Sequence, residues 1–192
     1  MSKFTTIILN EMSAVLSQID ERNTSKFVTE IRRAKRIYIT GVGRSGLVVK
    51  TFGQRLMHLG FDVHLADEIT APAIARGDIL IACSGTGTTM LPLEMARKAA
   101  IVKARVVSLT ATPHSPLAKY SKLVITIPAP LEIYSRKKIH LQTGETPQHG
   151  KFLTGSACSL LREGMLIRSG CPDGVKVAAE NGYRFFYFEY GA

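Results

Sequence analysis

Cysteine is scarce in these 192 residues: Cys83, Cys158 and Cys171 are odd in number and show no CxxC spacing. Neither a disulfide framework nor a zinc site is suggested. Long apolar runs are missing too. None approaches the roughly 18 residues that a membrane span needs, and Asn10, Glu11, Ser13, Gln18 and Asp20 break up the start of the chain, so it does not read as a signal peptide. The expected setting is therefore cytoplasmic, with no membrane partner. No low-complexity tract, internal repeat or compositional break demands a second domain. The expectation is one domain over 1–192: N-terminal helices in 1–35, a core in 36–128, and a C-terminal helix and tail in 129–192.

Positive charge, by contrast, is plentiful, at a formal +10. The basic residues are spread along the chain, with short groups at Arg32, Arg33, Lys35, Arg36 and at Arg136, Lys137, Lys138. Neither group is interleaved with aromatics or set in a DNA-reading helix, so no nucleic-acid partner is expected. Most of these charges read as solvated surface, although a net positive field would concentrate an anionic substrate. Hydrophobic residues make up 45% and charged residues 21%, the balance of a folded globular domain long enough to bury a core.

Periodicity divides the chain. Phe4, Ile7, Ile8, Met12, Val15, Leu16 and Ile19 recur at helical spacing and form one apolar stripe. Thr24 is placed to cap a second helix carrying Phe27, Val28 and Ile31 and ending near Lys35. From Arg36 onward, β-rich runs (36–40, 61–65, 78–83, 105–109, 123–127) alternate with helical stretches (45–59, 89–100, 116–120). Strand–helix alternation of this kind predicts an α/β three-layer sandwich, a five-stranded parallel sheet with helices on both faces. Gly60 stands where the first crossover helix must stop. Beyond Pro128 the pattern weakens; a helix over about 152–168 and an aromatic strand or tail over 183–190 are expected.

Two strand-to-helix loops carry the chemistry. In Gly41-Val42-Gly43-Arg44-Ser45-Gly46, glycines permit a tight turn and close backbone approach, and the following helix offers free N–H groups to an anion. The pattern is GxGxxG, so a dinucleotide is one reading, with Asp67 at the end of the second strand available to a ribose. The second loop, Ser84-Gly85-Thr86-Gly87-Thr88-Thr89, offers four hydroxyls, two glycines and a helix N-terminus. These suit a phosphate dianion without lysine or metal, and no GK[ST] follows that would make it a Walker loop. The plainer alternative is a polar turn that caps its helix. In a doubly wound sheet both loops lie at the carboxyl ends of their strands, which brings Gly43, Arg44, Ser45 and the Ser84–Thr89 loop around one crevice. Cys83 just before that loop reads as a small apolar filler.

With these residues in view, the sequence resembles the sugar isomerase (SIS) domain family. Gly41–Gly46, the run Arg55-Leu56-Met57-His58-Leu59-Gly60-Phe61, Glu68-Ile69-Thr70-Ala71-Pro72 and the Ser84 loop are similar to the 6-phospho-3-hexuloisomerases, over roughly residues 35–128. The resemblance implies a homo-oligomeric, dimeric or tetrameric, α/β enzyme that converts 3-hexulose 6-phosphate to fructose 6-phosphate in formaldehyde fixation through ribulose monophosphate. A base would move a proton from C2 to C3 through an enediol, with no cofactor or metal. The family's expected glutamate, in a late Pro-Met-Gly-Ser-x-Phe-Glu type of motif, falls here on Ser159 of Leu153-Thr154-Gly155-Ser156-Ala157-Cys158-Ser159. The family's His-Ala-Asn-Leu type of ending is replaced by the aromatic run from Tyr183 to Tyr190. Glu68 and His58 are then the candidate catalytic groups, with Glu145 and Glu163 behind them. Each has a plainer role, Glu68 in bonding its loop and His58 as a charge against a helix end.

Overall fold

A computed structural model describes residues 3–128. In chain order these form α1 (Lys3–Leu16), α2 (Glu21–Arg32), β1 (Ile37–Gly41), α3 (Gly43–His58) and β2 (Val63–Leu65). There follow β3 (Ile79–Cys83), α4 (Met90–Ile101), β4 (Arg105–Thr110), α5 (Pro116–Lys119) and β5 (Leu123–Thr126). The five strands make one parallel sheet in the order β2-β1-β3-β4-β5, as the alternation predicts. The helix and tail expected after Pro128 lie outside the described residues.

β1 and β3 are buried along their whole length, which is why each reads as a short run with almost no polar residue. Alternate side chains feed two cores. Ile37, Ile39, Ile79, Ile81, Val107 and Leu109 face α2 and α3 and pack with Phe27, Ile31, Phe52 and Leu56. Tyr38, Leu80, Ala82 and Val106 face the other way, against Ala96 and Ala99 of α4 and Leu117 of α5. Cys83 is buried in the first core, consistent with its reading as a filler.

The start of α2 corrects the sequence reading. Asp20, not Thr24, is the cap: its carboxylate accepts from the N–H of Arg22 at 2.8 Å, and the helix is under way from Glu21. Thr24 already sits inside the first turns, its hydroxyl donating back to the carbonyl of Asp20 at 3.1 Å. α2 also ends earlier than expected, with Arg33 as its C-cap. Glu30 near that end fastens α2 to the sheet, accepting from Arg105 at 3.0 Å and Lys122 at 2.8 Å. Burial pushes the Glu30 carboxyl up, but the hydrogen bonds and charges of Lys122 and Arg105 outweigh it and hold the group below its ordinary value.

α3 stops as expected at Gly60, which adopts φ +86°. Its N–H reaches the carbonyl of Met57 at 2.9 Å, and that of Phe61 reaches Leu56 at 3.1 Å, the paired bonds of a Schellman motif. α4 closes with the same pair, Lys103 to Ala100 and Ala104 to Ala99, both at 3.0 Å. Here, however, the left-handed position is held by Lys103 at φ +60°, the one non-glycine residue with positive φ among those described.

The connection from β2 to β3 has no helix. It runs from Ala66 to Asp78 over the α4 side of the sheet and is tied down by Tyr38 and Arg36. The Tyr38 hydroxyl donates to the carbonyl of Pro72 at 3.0 Å, and Arg36 to that of Ala73 at 3.2 Å. Arg36 also binds both oxygens of the buried Asp78, at 3.3 and 2.8 Å, while Asp78 accepts from the N–H of Ala75 at 2.8 Å. Among the described residues, no helix is long and apolar enough to cross a membrane.

Candidate functional site

The strand order reverses at β1: the chain leaves β1 to pair β2 on one side, then returns to lay β3 on the other. The segments after β1 and β3 therefore diverge to opposite faces and leave a crevice between their carboxyl ends, the usual ligand position in such sheets. Gly43, Arg44 and Ser45 open α3 on one side of it, and Ser84–Thr89 lead into α4 on the other. The structure thus brings both loops to one end of the sheet.

Neither helix that starts here has a side-chain cap. The cap of α3 is Val42, which has no acceptor to offer, and the cap of α4 is Thr89, whose hydroxyl bonds Ser84 at 2.9 Å instead of the helix. First-turn N–H groups have no partner within a helix, so both N-termini carry their positive partial charge into the crevice unsatisfied by side chains. The plainer reading of the Ser84 loop as a polar cap finds no support in this arrangement.

The loop's hydrogen bonds explain its shape. Ser84 Oγ, buried, also accepts from the N–H of Gly87 at 3.1 Å, and Thr86 and Thr88 pair their hydroxyls at 2.9 Å. A hydroxyl pair consumes one of its two protons, which leaves one donor in each pair for a ligand. The carbonyls of both glycines are taken up by the protein's own donors. That of Gly85 accepts from the N–H of Ala111 at 3.0 Å, Thr110 Oγ1 at 3.1 Å and Thr112 Oγ1 at 3.4 Å. That of Gly87 accepts from Leu117 at 3.1 Å. Gly87 has φ +64°, and a Cβ there would overlap the side chain of Ser115; only glycine suits the position. The proton that each hydroxyl pair keeps is a donor, the complement of a phosphate's acceptor oxygens.

The GxGxxG residues divide their work. Gly41 and Gly46 face each other, and a Cβ on Gly46 would come within 2.6 Å of the Gly41 carbonyl oxygen; they let the first turn of α3 lie directly on β1. Gly43 instead looks onto open space, and it is there that a ligand has access to backbone. Arg44 is exposed and Ser45 half-buried beside it. Asp67, the residue a ribose would need, is exposed beyond β2 and lies 4.0 Å from Lys50.

Glu68 lies on the exposed connection beyond β2, at the crevice end of the sheet. Two strand spacings, roughly 10 Å, separate β2 from β3, so Glu68 stands at the flank of the site. His58 is not brought to this crevice. It is the last residue of α3, and a helix that starts in the crevice carries its sixteenth residue roughly 22 Å away, to the other end of the sheet. Among the described residues no group of three or more His, Cys, Asp or Glu is placed to hold a metal.

Thr40 and Ser108 were not singled out from the sequence. They flank Ala82 in the sheet, on the side that carries Ser84, and are 2% and 0% exposed. Neither hydroxyl has a hydrogen-bond partner, so with Ser84 and Thr110 they set buried hydroxyls near the carboxyl ends of β1, β3 and β4. A hydroxyl interrupting an apolar strand near its carboxyl end is the signal that points to them.

The model of the SIS domain family matches residues 30–143. The 3-hexulose-6-phosphate isomerase of Mycobacterium gastri is 37% identical over 123 residues, 64% of this chain and 62% of that protein. An uncharacterized protein of Methanothermobacter thermautotrophicus is 44% identical over 114 residues, 59% of this chain and 58% of its own. The chain thus spans about three fifths of the length of these curated relatives. A solved structure of a hypothetical protein from Methanococcus jannaschii, described as inferring a 3-hexulose-6-phosphate isomerase function, has a TM-score of 0.73 at 22% identity, covering 97% of this chain and 100% of that one. At that identity the likeness is one of fold.

Proposed function

The chain belongs to the SIS domain family, and from that premise we propose that it is a phosphosugar isomerase converting 3-hexulose 6-phosphate to fructose 6-phosphate. The observation that carries the proposal is the pair of helix N-termini without side-chain caps, set around a loop whose Gly85 and Gly87 carbonyls are held by the protein and whose two hydroxyl pairs each keep a proton to donate. The substrate phosphate lies on Ser84, Gly85, Thr86, Gly87, Thr88 and Thr89, and Gly43, Arg44 and Ser45 take the sugar or a phosphate oxygen from the opposite side. The names of relatives such as the Mycobacterium gastri protein support this choice of substrate.

The reaction moves the carbonyl from C3 to C2. A base takes the proton from C2, the enediolate oxygen is held by a donor, and the proton returns at C3. Glu68 is the carboxylate at the crevice end suited to this work. His58, at the other end of the sheet, takes no part in this step; the chain works as a dimer or tetramer in the cytoplasm, in ribulose monophosphate metabolism. No cofactor takes part.

The test is turnover of 3-hexulose 6-phosphate by the purified chain in EDTA, followed as fructose 6-phosphate, with light scattering for the assembly. Turnover supports the isomerase. A second reading, a sugar-phosphate-binding regulator without catalysis, follows from Ser159 standing where the family's glutamate is expected. Tight fructose 6-phosphate binding without turnover would establish it. Thermal stabilisation by NAD and not by fructose 6-phosphate would overturn both.

A further inference from the structure

The basic residues that look scattered in sequence are gathered by the fold. α2, α3, α4 and α5 all end at the amino end of the sheet, opposite the crevice, and that is where the strands begin. Between Asp20 and Pro128 this end collects eleven Lys and Arg against three carboxylates, Glu30, Asp62 and Asp78. Everywhere else in that span, five cations meet five carboxylates. The whole net positive charge of the span thus lies away from the crevice, so it is not arranged to draw substrate in.

Three of the eleven, Arg36, Arg105 and Lys122, are spent on Asp78 and Glu30. The other eight are exposed. Helix dipoles account for five: Arg32, Arg55, Lys98 and Lys119, each in the last turn of its helix, and Arg33, the C-cap of α2. They do not account for Lys35, Arg76 and Lys103, which sit in loops. Two of these are held in place by the backbone. Lys103 occupies a left-handed position that would suit glycine, and such an outlier points to a role for the side chain. Lys35 donates its N–H to the carbonyl of Gly77 at 3.1 Å and lies along that glycine, where a Cβ would come within 3.1 Å of its Cδ.

We propose that this end of the sheet docks a nucleic-acid backbone, without reading its sequence. Five strands give a cationic face roughly 19 Å wide, too broad for one small anion and suited to a run of phosphates. A bilayer surface fits less well, because interfacial binding needs an apolar face to insert. Among the described residues at this end, the exposed large apolar side chains are Ile101 and, less fully, Met57, Val102 and Tyr120, few beside the eight exposed cations. The expectation of no nucleic-acid partner comes from the lack of aromatic interleaving and of a DNA-reading helix around two short basic groups; contact with phosphates alone requires neither.

Fluorescence anisotropy of the full chain with a labelled 20-nucleotide RNA, across a salt series, tests the proposal. Binding should weaken log-linearly with salt. Replacing Lys35 and Lys103 together (Lys35→Gln, Lys103→Gln) should lower the slope by about 1.4, at roughly 0.7 for each single-strand phosphate that is no longer neutralised. The paired control removes the same charge from α2 (Arg22→Gln, Lys26→Gln) and should leave the slope unchanged. Thermal melts verify that both variants are folded. No binding at 50 mM salt, equal losses in the two variants, or tighter binding to phosphatidylserine vesicles or polyglutamate than to RNA would each overturn it.

Discussion

Replacing Lys103 with glycine should make the protein more stable although it removes a side chain and adds no contact. α3 and α4 end in the same hydrogen-bonded motif, yet one has Gly60 at φ +86° and the other Lys103 at φ +60°. An L-residue in the left-handed region costs about 1–2 kcal/mol. Glycine removes that cost but gives back about 0.5–1 kcal/mol through the freedom it adds to the unfolded chain. At mid-range values the net gain is about 0.7 kcal/mol, which for a chain of this length corresponds to a rise in Tm of roughly 1–3 °C. Scanning calorimetry at matched rate and pH is the assay, with Lys103→Ala as the control that keeps the strained backbone. The alanine variant should show no rise. A fall in Tm for Lys103→Gly, or the same rise for alanine, would refute the backbone argument. The lysine end of the sheet adds a second readout: the glycine variant should gain stability and lose RNA affinity together.

Ser84→Ala with Thr89→Ala should weaken fructose 6-phosphate binding by roughly 10- to 100-fold, the scale of one or two hydrogen bonds to a charged group, while thermal melting shifts far less; equal loss of both would return the loop to a purely structural role. Asp20→Ala should cost about 1 kcal/mol in urea unfolding, whereas Thr24→Ala should cost less, because the Thr24 hydroxyl only bonds back to the Asp20 carbonyl. Glu30 has a lowered folded pKa, so its contribution is present above its ordinary value of 4.5 and is lost as pH falls through the lower folded value. Glu30→Gln should therefore flatten the acid side of the stability profile, and an unchanged profile would show that the Arg105 and Lys122 pairs contribute nothing.

What was legible in the sequence was whatever is encoded locally. Each buried strand announces itself as a short apolar run, Ile37–Gly41 and Ile79–Cys83 most plainly, and Gly60 marks the stop of α3. The cap of α2 is not legible because Asp20, Glu21, Arg22, Asn23 and Thr24 are all polar, and only the hydrogen bond from Arg22 tells which one stands outside the helix. The distance of His58 from the crevice depends on where α3 starts, and the grouping of the lysines and arginines depends on four helices ending on one side; neither is a property of neighbouring residues. Gly41 and Gly46 look like ligand glycines in the motif, and their use against each other appears only once α3 lies on β1.

The carbonyl of Gly85, held by three donors from the last residue of β4 and the two that follow it, governs how fast and how selectively the crevice fills. Fixing one residue's backbone costs about 1–2 kcal/mol of entropy, and for this loop the cost is met when the domain folds rather than when a ligand arrives. The mould is set beforehand, so association waits for diffusion and desolvation, not for the loop to organise itself. The same wiring makes the turn after β4 a remote control: changes at Thr110 or Thr112 alter the mould without touching its contents.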